Sequence, residues 1–368
     1  MSVNKPTYTL PSWIKKEKLC YDILSGNFNA IDLLIKNQDK INWKVLSRNI
    51  NGIKLLEQNL DKIDWTELSG NINAIEILKK NQDKIDWTEL SGNINAIEIL
   101  KKNQDKINWD QLSRNENAIE LLEQNQDKIN WQCLSCNKNA LKLLKSNYSK
   151  IDWALLFFNH NAIELIEENE SKINWEIFSL TLNKNKKIFE LLEKNSDKIN
   201  WDYLSSNNNI YAINILKKNF EKINWDYLSK NSYAIELLEQ NQDKINWDNL
   251  SLNINAIELL KQNQDKINWD NLSENINAIE LLKQNLDKIN WEKLSCNSNA
   301  LEILKQNQNK IIWPDFLENP NLFTLDYKKM EENNIIMYEE LIKEVMKPSK
   351  INKYLLDYNY DYLVDMYW

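Results

Sequence analysis

Residues 65–86 read WTELSGNINAIEILKKNQDKID, and residues 87–108 repeat them with one change, Asn108 standing where Asp86 stood. With the Trp as position 1, apolar residues recur from unit to unit at positions 1, 4, 10, 11, 13, 14 and 21. Positions 1 and 4 make one helical face, and positions 10, 11, 13 and 14 make the broader stripe of a second helix. The Asp or Asn before each Trp suits an N-cap, and Asp86-Trp-Thr-Glu89 has capping-box spacing. Asn95-Ala-Ile-Glu98 repeats that logic for the second helix. Asn at position 17 tolerates the left-handed conformation and so predicts the stop where Gly would ordinarily stand.

The phrase runs outward in both directions. Trp43 through Trp175 recur every 22 residues, gaps of 26 and 24 lead to Trp201 and Trp225, and the 22-residue beat resumes through Trp313. Tyr21 holds the Trp place of an earlier unit. Thirteen units therefore fill 21–312, between an N-terminal cap (1–20) and a C-terminal helical cap (313–368). Four extra residues fall near 180–186 and two near 207–211.

Helices this short do not stand alone, so each unit has to bury its stripe against the next. The pattern predicts an all-α protein, an α-solenoid with Trp, Leu and Ile in a continuous core. Thirteen helix pairs at 8–10 Å spacing make a curved rod on the order of 100 Å long. The competing fold is a leucine-rich-repeat solenoid, whose strand needs Leu-x-x-Leu-x-Leu spacing. Its middle Leu would fall on Thr88, Asp110, Gln132 or Pro314, which suit the first turn of a helix.

Composition narrows the chemistry. The chain has 15 Trp but only 4 Gly and 1 His, which leaves no glycine-rich phosphate loop and little for acid–base or metal chemistry. The expectation is a protein that is not an enzyme and needs no cofactor. A net charge of −8 offers no broad basic field for nucleic acid. No apolar run is long enough to span a membrane, and the first residues lack a signal-peptide pattern. The four Cys (20, 133, 136, 296) are too few for a disulfide scaffold, which points to a reducing compartment.

The full phrase, as in Asp287-Lys-Ile-Asn-Trp-Glu-Lys-Leu-Ser-Cys-Asn-Ser-Asn-Ala-Leu301, resembles tandem repeats encoded by giant DNA viruses of amoebae and other protists. Leu10-Pro-Ser-Trp-Ile14, Asn319-Pro-Asn-Leu-Phe-Thr-Leu-Asp-Tyr327 and Glu340-Leu-Ile-Lys-Glu-Val-Met-Lys-Pro-Ser-Lys-Ile351 resemble that family's ends. One departure is visible: the Pro usual before Asn-Ala-Ile is Ile, Glu, Lys or Ser here. The resemblance implies a mimivirus-like protein in the host cytoplasm or the virion, and it implies no catalytic residue.

Candidate sites divide into ordinary repeat positions and one irregular stretch. Cys133 and Cys136 form a C-x-x-C without further zinc ligands nearby, and they occupy positions 3 and 6 of an ordinary unit. His160 sits at position 8, in a turn. The Asp-Lys pair at positions 19 and 20 reads as a solvated edge of opposed charges. Position 3, usually polar, becomes Leu155, Ile177, Tyr203 and Tyr227 in four successive units. Phe157 and Phe158 lie in the same stretch, and Tyr211 and Tyr233 replace Asn at position 9. An aromatic stripe beside lengthened turns suits a protein partner, of the host or the virus. Position 6, the most variable, and position 8 flank the turn between helices, where specificity can be written. The expected function is a protein–protein interaction scaffold; a self-assembling virion component and, below it, a nucleic-acid-binding solenoid are the alternatives.

Overall fold

The structure, a computed structural model, describes residues 7–180, 185–319, 321–332, 334 and 347. Each repeat begins where Asn or Asp caps a helix. In the unit 65–86, the Asp64 carboxylate accepts from the Glu67 N–H and starts the helix Trp65–Gly70. A turn leads to the second helix, Ile75–Lys80. One turn of 3₁₀ helix, Gln82–Lys84, then returns the chain through an extended Ile85. The units stack sequentially, neighbour against neighbour, as an α-solenoid. No strand occurs within the repeats among the described residues, so the leucine-rich-repeat alternative falls.

The core follows the periodicity with one correction. Leu68, Ala74 and Leu78 are fully buried, and Ile77 and Ile85 nearly so. Burial of each such Leu or Ile contributes about 1.5–3 kcal/mol. The Trp side chains are only half-buried, at the rim of the core. In most repeats the Lys at position 20 covers the outer face of the ring: Lys84 Nζ lies 4.8 Å from the centroid of Trp65, and Lys106 Nζ 4.7 Å from that of Trp87. In those repeats the Lys is a lid on the Trp of its own unit as well as part of a charged edge.

Asn does different work from that expected. At position 17 it keeps a negative φ, as at Asn81 (−131°), so no left-handed residue ends the helix. Instead its amide reaches back, Asn81 Nδ2 donating to the Ile77 carbonyl at 2.9 Å, and satisfies an open helix end. The N-cap of the second helix is Ala96 rather than Asn95, with no side-chain cap bond.

The Ser and Asn of Leu-Ser-x-Asn-x-Asn form a ladder between units. Ser69 Oγ donates to the Trp65 carbonyl (2.7 Å) and accepts from the Asp86 N–H (3.0 Å). Asn93 Nδ2 donates to the carbonyls of Ser69 (3.0 Å) and Asn71 (3.2 Å) of the preceding unit, while its Oδ1 accepts from the Asn95 N–H. Asn95 Nδ2 donates to the Ile72 carbonyl at 2.9 Å. Among the described residues no buried side-chain nitrogen or oxygen lacks a partner.

The chain divides into two compact units, Lys15–Leu322 and a smaller one from Met1–Ile14 with Phe323–Trp368. Within the larger, the repeat geometry continues past 312: Trp313–Leu317 is helical, and Asn319 Nδ2 donates to the Asn297 carbonyl at 2.8 Å. The helix Trp313–Leu317 also touches Tyr21–Leu24, the first helix of the first repeat. The array of first helices thus returns to its start, and the curved rod expected from the pattern bends into a circuit. Leu24, Phe316 and Leu317 are buried there.

The smaller unit holds the one departure from an all-α chain among the described residues. Strand β1 (Tyr8–Thr9) pairs antiparallel with β2 (Thr324–Leu325), Tyr8 opposite Leu325. The Asp326 N–H extends the ladder to the Thr7 carbonyl at 2.9 Å. Glu339–Met346 and the aromatic run 354–368 lie outside the described residues.

Candidate interaction surface

The regular repeats spend their polar side chains on the stack, so a site has to be sought where the pattern breaks. It breaks between 153 and 233. The insertions lengthen the second helices to nine residues, Lys186–Lys194 and Ile210–Lys218, against five or six elsewhere. Both long helices carry side-chain N-caps: Asn185 accepts from the Lys187 N–H and Asn209 from the Tyr211 N–H.

The sequence-derived residues fall into separate groups here. Phe158, Tyr227 and Tyr233 are exposed, at 52%, 47% and 50%. Leu155, Phe157, Ile177, Tyr203 and Tyr211 are half-buried. Phe157 stands edge-on to Phe158 (5.2 Å between centroids) and to Phe178 (5.7 Å), which is fully inside. Tyr211 lies against Phe189 at 5.7 Å, on the lengthened second helices. Leu180 and Ile210, both exposed, belong to the same stretch and were missed. Leu180 sits at the variable position 6, which is the signal that could have found it. Phe28, Ile72, Ile94, Ile254 and Ile276 are exposed at position 8, an apolar row along the turn in two runs of repeats.

One substitution changes the joint between two repeats. Phe157 occupies position 5, where Ser holds the joint in the neighbouring units. It can neither donate to the Trp153 carbonyl nor accept from the Asn174 N–H, and that N–H has no acceptor among the described residues. Ile173 is half-buried, whereas its counterparts Ile151 and Ile199 are buried. A small, half-open cleft results, lined by Trp153, Phe157, Ile166, Lys172, Ile173 and Phe178 with Asn174 at its edge.

The remaining candidates are ordinary. Cys133 is buried, and Arg114 Nε donates to its sulfur at 3.3 Å. Burial pushes the Cys136 thiol up, which disfavours a reactive thiolate. His160 is exposed in its turn. Among the described residues no group of three His, Cys, Asp or Glu is placed to hold a metal ion. No helix among them is long and apolar enough to cross a membrane. Comparison with protein-family models, with curated proteins and with solved structures finds no match.

Proposed function

We propose that this chain is a non-enzymatic scaffold that holds a protein partner along the first-helix side of its repeats. The observation that carries the reading is the contrast between the two classes of repeat. Regular units turn Ser and Asn inward on the stack and expose Ile or Phe at position 8, while the interrupted stretch leaves larger side chains exposed at other positions, Phe158, Leu180, Tyr227 and Tyr233, together with Ile210. Large apolar side chains held in the turns between short helices, as Phe158, Leu180 and Tyr233 are, or on the helices themselves, as Tyr227 and Ile210 are, suit the anchor residues of an interface. The resemblance to giant-virus repeats adds the setting: an infected host cell, with the partner either a host or a viral protein. Position 2 carries Glu176, Asp202, Asp226, Asp248, Asp270 and Glu292 in consecutive repeats, which favours a neutral or basic partner and speaks against nucleic acid.

Proximity labelling in infected cells with the wild-type chain and with Tyr227→Ala/Tyr233→Ala tests the reading. A dominant partner labelled by the wild type and lost by the double variant is the expected result. Equal labelling by both would sink the central surface. A second reading, self-assembly into a particle, is favoured by the apolar position-8 row at Phe28, Ile72 and Ile94. Sedimentation separates the two, because a self-assembling chain forms oligomers that Ile72→Glu/Ile94→Glu disperses.

A further inference from the structure

Position 6 of each repeat meets position 3 of the next. At the regular joints from Arg48 onward the pair includes a charged or amide group. Arg48 Nη2 lies 2.6 Å from the Glu67 carboxylate, Arg114 Nε donates to Cys133 Sγ at 3.3 Å, and Lys293 Nζ lies 2.9 Å from Glu274. Where position 6 is Gly70 or Gly92, its neighbour is likewise the polar end of Glu89 or Gln111. The same register sets Cys136 beside Leu155, Phe158 beside Ile177, and Leu180 beside Tyr203. Three successive joints thus carry apolar pairs, with Phe158 and Leu180 exposed and the other four residues half-buried.

A second row runs beside this stripe. Position 2 is acidic in six consecutive repeats, Glu176, Asp202, Asp226, Asp248, Asp270 and Glu292, and all six side chains are exposed. The rows touch, because the position-3 amides of Asn249 and Asn271 donate to the carbonyls of Asp226 and Asp248, each at 2.9 Å. Among the described residues no cation pairs with any of the six carboxylates, whereas Glu120 and Glu236 on the second helices each hold a lysine. At positions 2, 3 and 6 of these repeats the basic residues are Lys230 and Lys293, and Lys293 is taken by Glu274. The face is therefore graded: apolar from Cys136 to Leu180, apolar and acidic from Ile177 to Tyr227, and acidic onward to Glu292.

An apolar segment laid here leaves the carboxylates uncompensated, and a purely basic one leaves the stripe in water. We propose that this face receives one polypeptide segment, aliphatic at one end and rich in Lys or Arg at the other, with its basic end over Asp202 to Glu292. Repeats follow one another at about 8–10 Å, the span of three residues of an extended chain. Basic side chains at every third position of such a segment fall on successive carboxylates. At Tyr203 and Tyr227 each cation meets a ring as well as the adjoining Asp202 or Asp226. The proposal rests on the scaffold reading above and names the chemistry of its partner.

Fluorescence anisotropy is the test, with the full chain and a labelled peptide of two Leu-Gly-Ser triplets followed by four Lys-Gly-Ser triplets. Saturable binding is expected at about 0.05 M NaCl, weakening about tenfold at about 0.5 M. Asp202→Asn/Asp226→Asn/Asp248→Asn keeps the oxygens that accept from the amides of Asn224, Asn246 and Asn268, so its melting temperature should not change. Its affinity for the peptide should nevertheless fall about tenfold. Leu180→Ser should cost about threefold for this peptide and nothing for one with Ser in place of Leu. Absence of saturable binding overturns the proposal, as does equal binding by the triple variant. Equal binding of peptides with Glu for Lys, or with Ser for Leu, also overturns it, and so does tighter binding of a uridine-rich RNA oligonucleotide. If the peptide fails while Tyr227→Ala/Tyr233→Ala still loses its partner in cells, this assignment falls and the scaffold reading stands. If the peptide binds and no partner is labelled in cells, the scaffold reading falls instead.

Discussion

The Asn at position 7 is the residue on which the stack depends most. Asn93 is 3% exposed and serves three backbone groups, two of them in the preceding repeat. Asn93→Ala removes all three bonds and strips the buried Ser69 carbonyl of this donor, while the Asn71 carbonyl keeps the Ala74 N–H, a cost of about 1–3 kcal/mol. Asn95→Ala, which removes one bond at the surface, should cost under about 1 kcal/mol. Asn93→Asp should be worst, since it keeps the acceptor, loses both donors and buries a charge beside carbonyl oxygens. Urea unfolding of the three variants gives the order, and equal losses for Asn93→Ala and Asn95→Ala would show that the ladder adds nothing. The ladder was not legible in the sequence. Asn favours caps and turns through its own neighbours, and the partners of Asn93 lie 22 and 24 residues back, beyond any local pattern.

The helix pairs themselves were legible, because both the apolar stripe and the capping residue are local. Asp64 and Asp86 cap as their spacing indicates, Asp86 accepting from both the Thr88 and Glu89 N–H groups. The insertions were visible as lost register but not as longer second helices, since added residues fit a turn or a helix equally well. Ion pairs run along the exposed side of the second helices, as from Lys101 to Glu120 (2.8 Å) and Lys217 to Glu236 (2.6 Å). Hydrogen bonds from these lysines hold Glu120 and Glu236 below the usual carboxylate range. Both carboxylates are fully open to water, where such pairs are screened and contribute little. The melting temperature should therefore change little between 0.05 and about 0.5 M NaCl, beyond one Debye regime and into the next. A large fall with salt would mean that the pairs, rather than the Asn and Ser rungs, hold the repeats together.

Closure belongs to the larger unit, Lys15–Leu322, as a whole. No repeat announces the small rotation it makes relative to the next, so the pattern gave a rod of unknown curvature, and only the meeting of Tyr21–Leu24 with Trp313–Leu317 reveals the sum. That joint differs from the others. Leu317 stands in the place of Ser, and the amide of Asn27 donates to neither the Leu317 nor the Asn319 carbonyl, so Leu24, Phe316 and Leu317 hold it by apolar contact. Phe316→Asp should open it: small-angle scattering should report a larger radius of gyration and calorimetry a broader transition, with Phe28→Asp, at an exposed position, as the unchanged control. Identical scattering from both variants would place the hold elsewhere.

A row of repeats that can grow by duplication is ordinarily indifferent to its own number. Fourteen first helices that meet end to start share one full turn, about 26° to each, as the small per-repeat rotation of a solenoid. A fifteenth would have to take its share from every other joint, and each rung of Asn and Ser along the way would stretch to give it. Copy number, free to drift in an open array, is here fixed by geometry.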